Sequence, residues 1–185
     1  YGLNVLMDWD VVNTNAVQYV QNIHRDIIDA ITETTQDQVY PLIDEWLRAG
    51  ESMPKLIKRL ESVGYPAHRA EMIAVTEVTR AVSAGNQAAW ESTGYITAKQ
   101  WTTAEDERVC PVCGAMNGKI ADIQGDFVLD ASDAIDQDDP LMKFIQKHGG
   151  QITEKHPPAH PRCRCSMRPI VDVAAFRDRP LVNYD

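Results

Sequence analysis

Along residues 13–92 the apolar positions recur at spacings of three and four, the period of helices buried on one face. Val17, Val20, Ile27, Ile28 and Ile31 form a first stripe, with His24 on it as a helix-face histidine packed beside an acidic neighbour. Pro41 interrupts the pattern and predicts a second, short helix over 41–48 that stops at Gly50. Ser52 is placed as the N-cap of a third helix, with Pro54 in its first turn and Gly64 just past its end. The fourth and longest is predicted over 66–92, ending near Gly94. Ala70, Ala74, Glu77, Ala81, Ala84 and Ala88 lie along one of its faces, where small residues admit another helix and Glu77 is the one charge.

After Gly94 the period changes. Residues 96–103 carry Ile, Thr and Trp with few helix formers and read as a strand, with Trp101 anchored in the core. Residues 118–121, 127–129 and 166–173 read as further strands, and 141–147 as a short amphipathic helix. Between them, 130–139 is a solvated acidic loop, because it lacks the glycine and closing glutamate of a calcium loop. The polar tail from Asp178 reads as mobile or partner-bound. The expected architecture is α+β: a helical arm and bundle over 1–93, then a small β-rich module over 94–185.

Composition narrows the partners. A chain of 185 residues suits one domain, or one core with an extended helical arm, and a net charge of −9 opposes phosphate-backbone binding by the whole surface. Arg162, Arg164 and Arg168 remain as a local basic patch. No apolar run approaches the roughly 18 residues of a membrane span, and the N-terminus is not patterned as a signal peptide. The start at Tyr1 without Met reads as a processed chain or a piece of a longer one. The simplest assembly site is the cytosol, where paired cysteines favour metal over disulfides.

The four cysteines and one histidine fall into two groups, Cys110-Pro-Val-Cys113-Gly and His160-Pro-Arg-Cys163-Arg-Cys165. A CPxCG turn aims two sulfurs at one point, and thiolate and imidazole are the preferred ligands of tetrahedral zinc. Cys163 and Cys165, two apart, share a face if the chain between them is extended. Five candidates serve four positions; the preferred set is Cys110, Cys113 and Cys163 with either Cys165 or His160. A pair of disulfides and buried reduced thiols are the alternatives. Cys113 is followed by Gly-Ala-Met-Asn-Gly, read as a turn, which separates the motif from a redox CxxC that opens a helix. Zinc here is expected to be structural, since a closed set leaves no position for water.

Two carboxylates also stand out. Glu77 and Asp106 have Arg80 and Arg108 as candidate partners, and the preferred reading of Glu77 is a buried pair locking the long helix to the cysteine knuckle. The competing reading is a general base in a cleft. His148 and His156 sit in loop contexts without an obvious partner.

Five blocks together resemble a family. They are Ile73-Ala-Val-Thr76-Glu77-Val-Thr-Arg80-Ala; Gly94-Tyr-Ile; Lys99-Gln-Trp101 through Asp106-Glu-Arg108-Val-Cys110-Pro-Val-Cys113; Asn117-Gly118-Lys119; and Pro157-Pro-Ala-His160-Pro-Arg-Cys163-Arg-Cys165. In order and approximate spacing they resemble the Mu F-like minor head proteins of tailed bacteriophages, over residues 53–171. Two departures stand out: Val75 occupies the place where the family usually has Arg before Thr-Glu, and the segment 130–148 is longer and more acidic. The resemblance implies a minor capsid component that joins the portal and other head proteins in the bacterial host cytoplasm. It further implies carriage in the virion with the DNA, no established reaction, no membrane and no small-molecule substrate; packaged DNA is a further candidate partner. The rival readings are a metal-dependent hydrolase using Glu77, Asp106 and His160, and a zinc-type nucleic-acid-binding module using Arg162 and Arg164.

Overall fold

The computed structural model describes residues 33–135 and 138–177, together with Thr14, Ala16 and Gln18. The stripe around His24 and the tail from Asp178 therefore lie outside the described residues. The described residues form two compact units: those up to Ala89 with Pro157–Arg164, and those of Trp90–His156 with those from Cys165 onward.

In the first unit, helix α1 spans Glu33–Ala49, α2 Met53–Ser62 and α3 Ala67–Glu91. The expectation that Pro41 would start a new helix is overturned, because α1 runs straight through it. A proline inside a helix costs about 3 kcal/mol. Val39, Ile43 and Leu47 form one buried stripe across it, each contributing roughly 1.5–3 kcal/mol, and together they outweigh that cost. Ser52 occupies the N-cap position of α2 with extended backbone, although its hydroxyl makes no capping bond. Its carbonyl instead accepts from the Trp46 indole N–H at 3.0 Å, which ties the α1–α2 connection. Gly64 and Gly94 follow their helices at φ +104° and +73°, the left-handed backbone that glycine adopts without cost.

Leu56 and Leu60 of α2 join the α1 stripe and Ala70, Ile73, Ala74, Val78 and Ala81 of α3 in one apolar core, to which Ala16 also belongs. The face predicted for α3 holds only in part. Ala70, Ala74, Glu77 and Ala81 are buried, whereas Ala84 is half-buried and Ala88 exposed. The six positions step by four and three in turn, so Ala88 returns to the side of Ala70, and it is the buried side that changes along α3. Ser83, Gln87 and Trp90 are buried in its place.

The second unit is built on β1, Ile96–Thr102, flanked antiparallel by β2 (Ile120–Asp122) and β5 (Ser166–Val171). Gln100 pairs with Ile120 and Arg168, and Trp101 with Met167. An irregularity between Ile96 and Ala98 accounts for Ile96 and Lys99 both being buried although three residues apart. Strands β3 (Phe127–Asp130) and β4 (Gln151–Glu154) form a separate two-stranded sheet. Strand β4 was not anticipated, since Gln-Ile-Thr-Glu is too short and polar to stand out. The fully buried Trp101 meets the Phe127 ring edge-on at 5.1 Å. Between β3 and β4, α5 (Pro140–Lys147) buries Leu141 and Ile145. The strand expected to reach 173 ends at Val171, and a short helix α6, Val173–Arg177, begins on the Asp172 carboxylate, which accepts from the Ala174 and Ala175 N–H groups.

Candidate metal centre

The connection from β1 to β2 carries the first cysteine pair. Its base is closed by backbone bonds between Trp101 and Lys119 and between Gly118 and Trp101, each 2.9 Å. Within it, Pro111–Met116 forms a short helix, α4, with Cys110 as its extended N-cap. This overturns the expected turn after Cys113. Pro111 at the first helical position has its fixed φ ready for a helix, and the Cys110 thiol accepts from the Cys113 N–H at 3.4 Å. The Cys110 carbonyl accepts from the Gly114 N–H at 2.8 Å. The motif therefore does open a helix, and the contrast drawn with redox CxxC sequences on that ground fails.

The second group sits in a different local setting. Cys163 closes a turn in which its N–H donates to the His160 carbonyl at 3.1 Å. Arg162, at φ +62°, donates its backbone N–H to the Thr76 hydroxyl at 2.9 Å and a guanidinium N–H to the His68 carbonyl at 2.9 Å. The Thr79 hydroxyl donates to the Cys163 carbonyl at 3.3 Å. Thr76 and Thr79 are thus the helix positions that hold this turn, and only their residue type on a mid-helix face hinted at it. Cys163 and Cys165 lie just before β5 rather than within it; both are buried, with Arg164 exposed between them.

All four cysteines are thiols, not disulfide partners. The ligand atoms of Cys110, Cys113 and His160 lie within 4.8 Å of one another, and so do those of Cys113, Cys163 and Cys165. Sulfurs on a tetrahedral zinc stand roughly 3.8 Å apart for bonds of about 2.3 Å, so each triad needs only small adjustments. The His160 Nδ1 lies 2.8 Å from the Pro161 carbonyl. A carbonyl only accepts, so Nδ1 is the donor in this contact, and Nε2 is the ring nitrogen a metal would take. The donor set is soft sulfur with one imidazole, and it can hold a metal ion.

Other singled-out residues fall elsewhere. Glu77 is 3% exposed, with Arg80 Nε at 3.4 Å from its Oε2, and its Oε1 has no hydrogen-bond partner. Burial pushes its carboxyl above the ordinary range, and Arg80 opposes that shift. The pair is internal to α3, at i and i+3. Asp106 pairs at the surface with Arg108, 3.7 Å away, and accepts its backbone N–H. The His148 Nδ1 donates to the Phe144 carbonyl at 2.8 Å, and His156 is half-buried.

Arg168 bonds through Nε to the Gln100 side chain. The acidic segment is ordered by its own carboxylates: Asp130 accepts from Ser132, Asp133 pairs with Lys119 at 2.6 Å, and Asp139 accepts from Ile135 and Leu141. These bonds hold the Asp130 and Asp139 carboxyls below their ordinary values.

Helices, small antiparallel sheets and Cys/His groups that could hold a metal ion define an α+β protein. Residues 37–168 match the family model of Phage Mu protein F like proteins, and the chain belongs to that family. The match covers well over half of the 185 residues and makes phage head morphogenesis the family context. Comparison with curated proteins and with solved structures gave no match. Among the described residues, no helix is long and apolar enough to cross a membrane.

Proposed function

We propose that this chain is a minor head protein that joins the portal and other head proteins during prohead assembly and travels in the virion with the DNA. It acts without catalysis, as an assembly component. The same proposal divides it into a helical arm over 1–93 that docks and a module over 94–185 pinned by zinc. The observation that carries the pin is the approach of ligand atoms from two distant stretches to within 4.8 Å, all four cysteines being thiols. Zinc suits sulfur-rich tetrahedral sites, and four protein ligands leave no coordination place for an attacking water.

Elemental analysis of the full chain, purified without chelators, should find about one zinc per chain. Removing residues 1–50 should abolish co-sedimentation with portal while leaving the metal in place. A chain devoid of metal refutes the pin, and portal association that survives the truncation refutes the docking role of the arm.

A further inference from the structure

The five donors fall into two triads, one donor more than a tetrahedral ion takes, and the triads are not alike. Cys113 belongs to both triads. Cys163 and Cys165, its companions in one, are buried at 1% and 7% exposure, whereas Cys110 and His160, its companions in the other, are both half-buried. Each of the three buried thiols is also held by rigid backbone. Cys113 lies inside α4, Cys163 in the turn fixed by Thr79, and Cys165 directly before the β5 residue Ser166 that pairs with Thr102.

Cys110 and His160 share one corner of the cluster, since their ligand atoms lie within 4.8 Å of each other and of Cys113. Both have local contacts that hold them there: Cys110 accepts from the Cys113 N–H, and the Pro161 carbonyl accepts from His160 Nδ1. We infer that Cys113, Cys163 and Cys165 are the permanent ligands and that Cys110 and His160 are interchangeable at the fourth position. The inference rests on the metal-centre reading above. Tetrahedral Cys₄ and Cys₃His sets are both stable zinc environments, so exchange between them keeps the coordination closed. The centre would then tolerate loss of its one half-exposed thiol, the cysteine that oxidants and alkylating agents reach first.

The test uses the full chain with zinc bound and compares Cys110→Ser, His160→Ala, the double variant, and Cys113→Ser, Cys163→Ser and Cys165→Ser. Zinc content after gel filtration is the readout. The first two should each keep the zinc, and the other four should lose it. With cobalt in place of zinc, Cys110→Ser should lose part of the sulfur-to-metal charge-transfer band while staying four-coordinate, and His160→Ala should show a band at least as strong as that of the wild type.

Iodoacetamide on the folded wild-type protein gives a measurement without mutation: Cys110 should be alkylated first, with zinc retained. Loss of zinc from Cys110→Ser or His160→Ala alone, or with Cys110 alkylation, overturns the shared position. Zinc kept by Cys163→Ser or Cys165→Ser overturns the permanent triad. Wild-type protein without zinc overturns the metal reading itself, a separate result.

Discussion

Replacing Arg80 with Met, which keeps the stem and removes the guanidinium, tests whether Glu77 is a charge trapped in a helical core. Glu77 is 3% exposed on a face it shares with Ala70, Ile73, Ala74, Val78 and Ala81, all buried. Arg80 is the one cation paired with it among the described residues, at 3.4 Å. Removing one partner of a buried pair costs about 3–5 kcal/mol, because the remaining charge is left uncompensated. The 3.4 Å separation is long for a charge-assisted bond, so Arg80→Met belongs at the lower end, about 3 kcal/mol.

Glu77→Gln keeps the shape and removes the buried charge. It should cost less than about 1 kcal/mol, or stabilise, since burial opposes the ionised form. The double variant should resemble Glu77→Gln alone. The pH dependence has a definite sign: with its carboxyl raised by burial, the folded chain binds that proton more readily than the unfolded chain. Stability contributed here is therefore greatest at low pH and falls as pH rises through the folded-state value. Arg80→Met should deepen that fall and extend it to higher pH, and Glu77→Gln should abolish it. Urea unfolding followed by far-ultraviolet circular dichroism on all four proteins, from about pH 4 to 8, measures both effects. An Arg80→Met chain within about 0.5 kcal/mol of wild type refutes the reasoning, as does a double variant as unstable as Arg80→Met.

Three further outcomes follow from other parts of the fold. Lys99 is fully buried, with Nζ donating to the Lys155 carbonyl at 2.7 Å and lying 5.4 Å from the Phe127 ring centre. Desolvation lowers its ammonium from 10.5 to about 8, so between those values the unfolded chain holds the proton more tightly and stability should rise with pH. Thermal melts of wild type against Lys99→Met isolate that rise, and a flat difference between them contradicts it. Leu56→Ala removes a side chain with no exposure from the helical core and should cost about 2–5 kcal/mol by denaturant titration; a cost under about 1 kcal/mol would deny that core. Gly94→Ala meets nothing within 4 Å, so its cost should be the backbone penalty at φ +73° alone, about 1–2 kcal/mol, and Gly94→Asn should recover part of it.

Where the sequence was legible, one interaction dominated each element. Ser52 at the N-cap position, Pro54 in the first turn and Gly64 just past the end all indicated α2, and it forms as expected. Trp101 among β-formers marked β1 and its core role. Misreadings arose where two influences competed. At Pro41 a local breaker lost to the apolar stripe that spans it. After Cys113 glycine suggested a turn, yet Pro111 and the Cys110 cap started a helix that Gly114 could join. The bonds from Thr76 and Thr79 to the 162–163 turn join residues more than eighty positions apart, and no local pattern encodes them.

The second unit also explains why a metal would matter to this fold. Its strands span three to seven residues, and β3 pairs only with β4, a two-stranded arrangement that is marginal by itself in water. Helix α4 ends at Met116 and β2 begins at Ile120, and Cys165 immediately precedes β5. Those are the two strands that flank β1. An ion held by Cys113 and Cys165 therefore ties the starts of both flanking strands, fixing their positions against β1 where short ladders supply few bonds. Ligation energy becomes folding energy in such a unit, as in small domains that fold only with their metal. On this argument chelation should loosen the sheet built on β1 before it disturbs the helices of the first unit, whose apolar core contains no ligand.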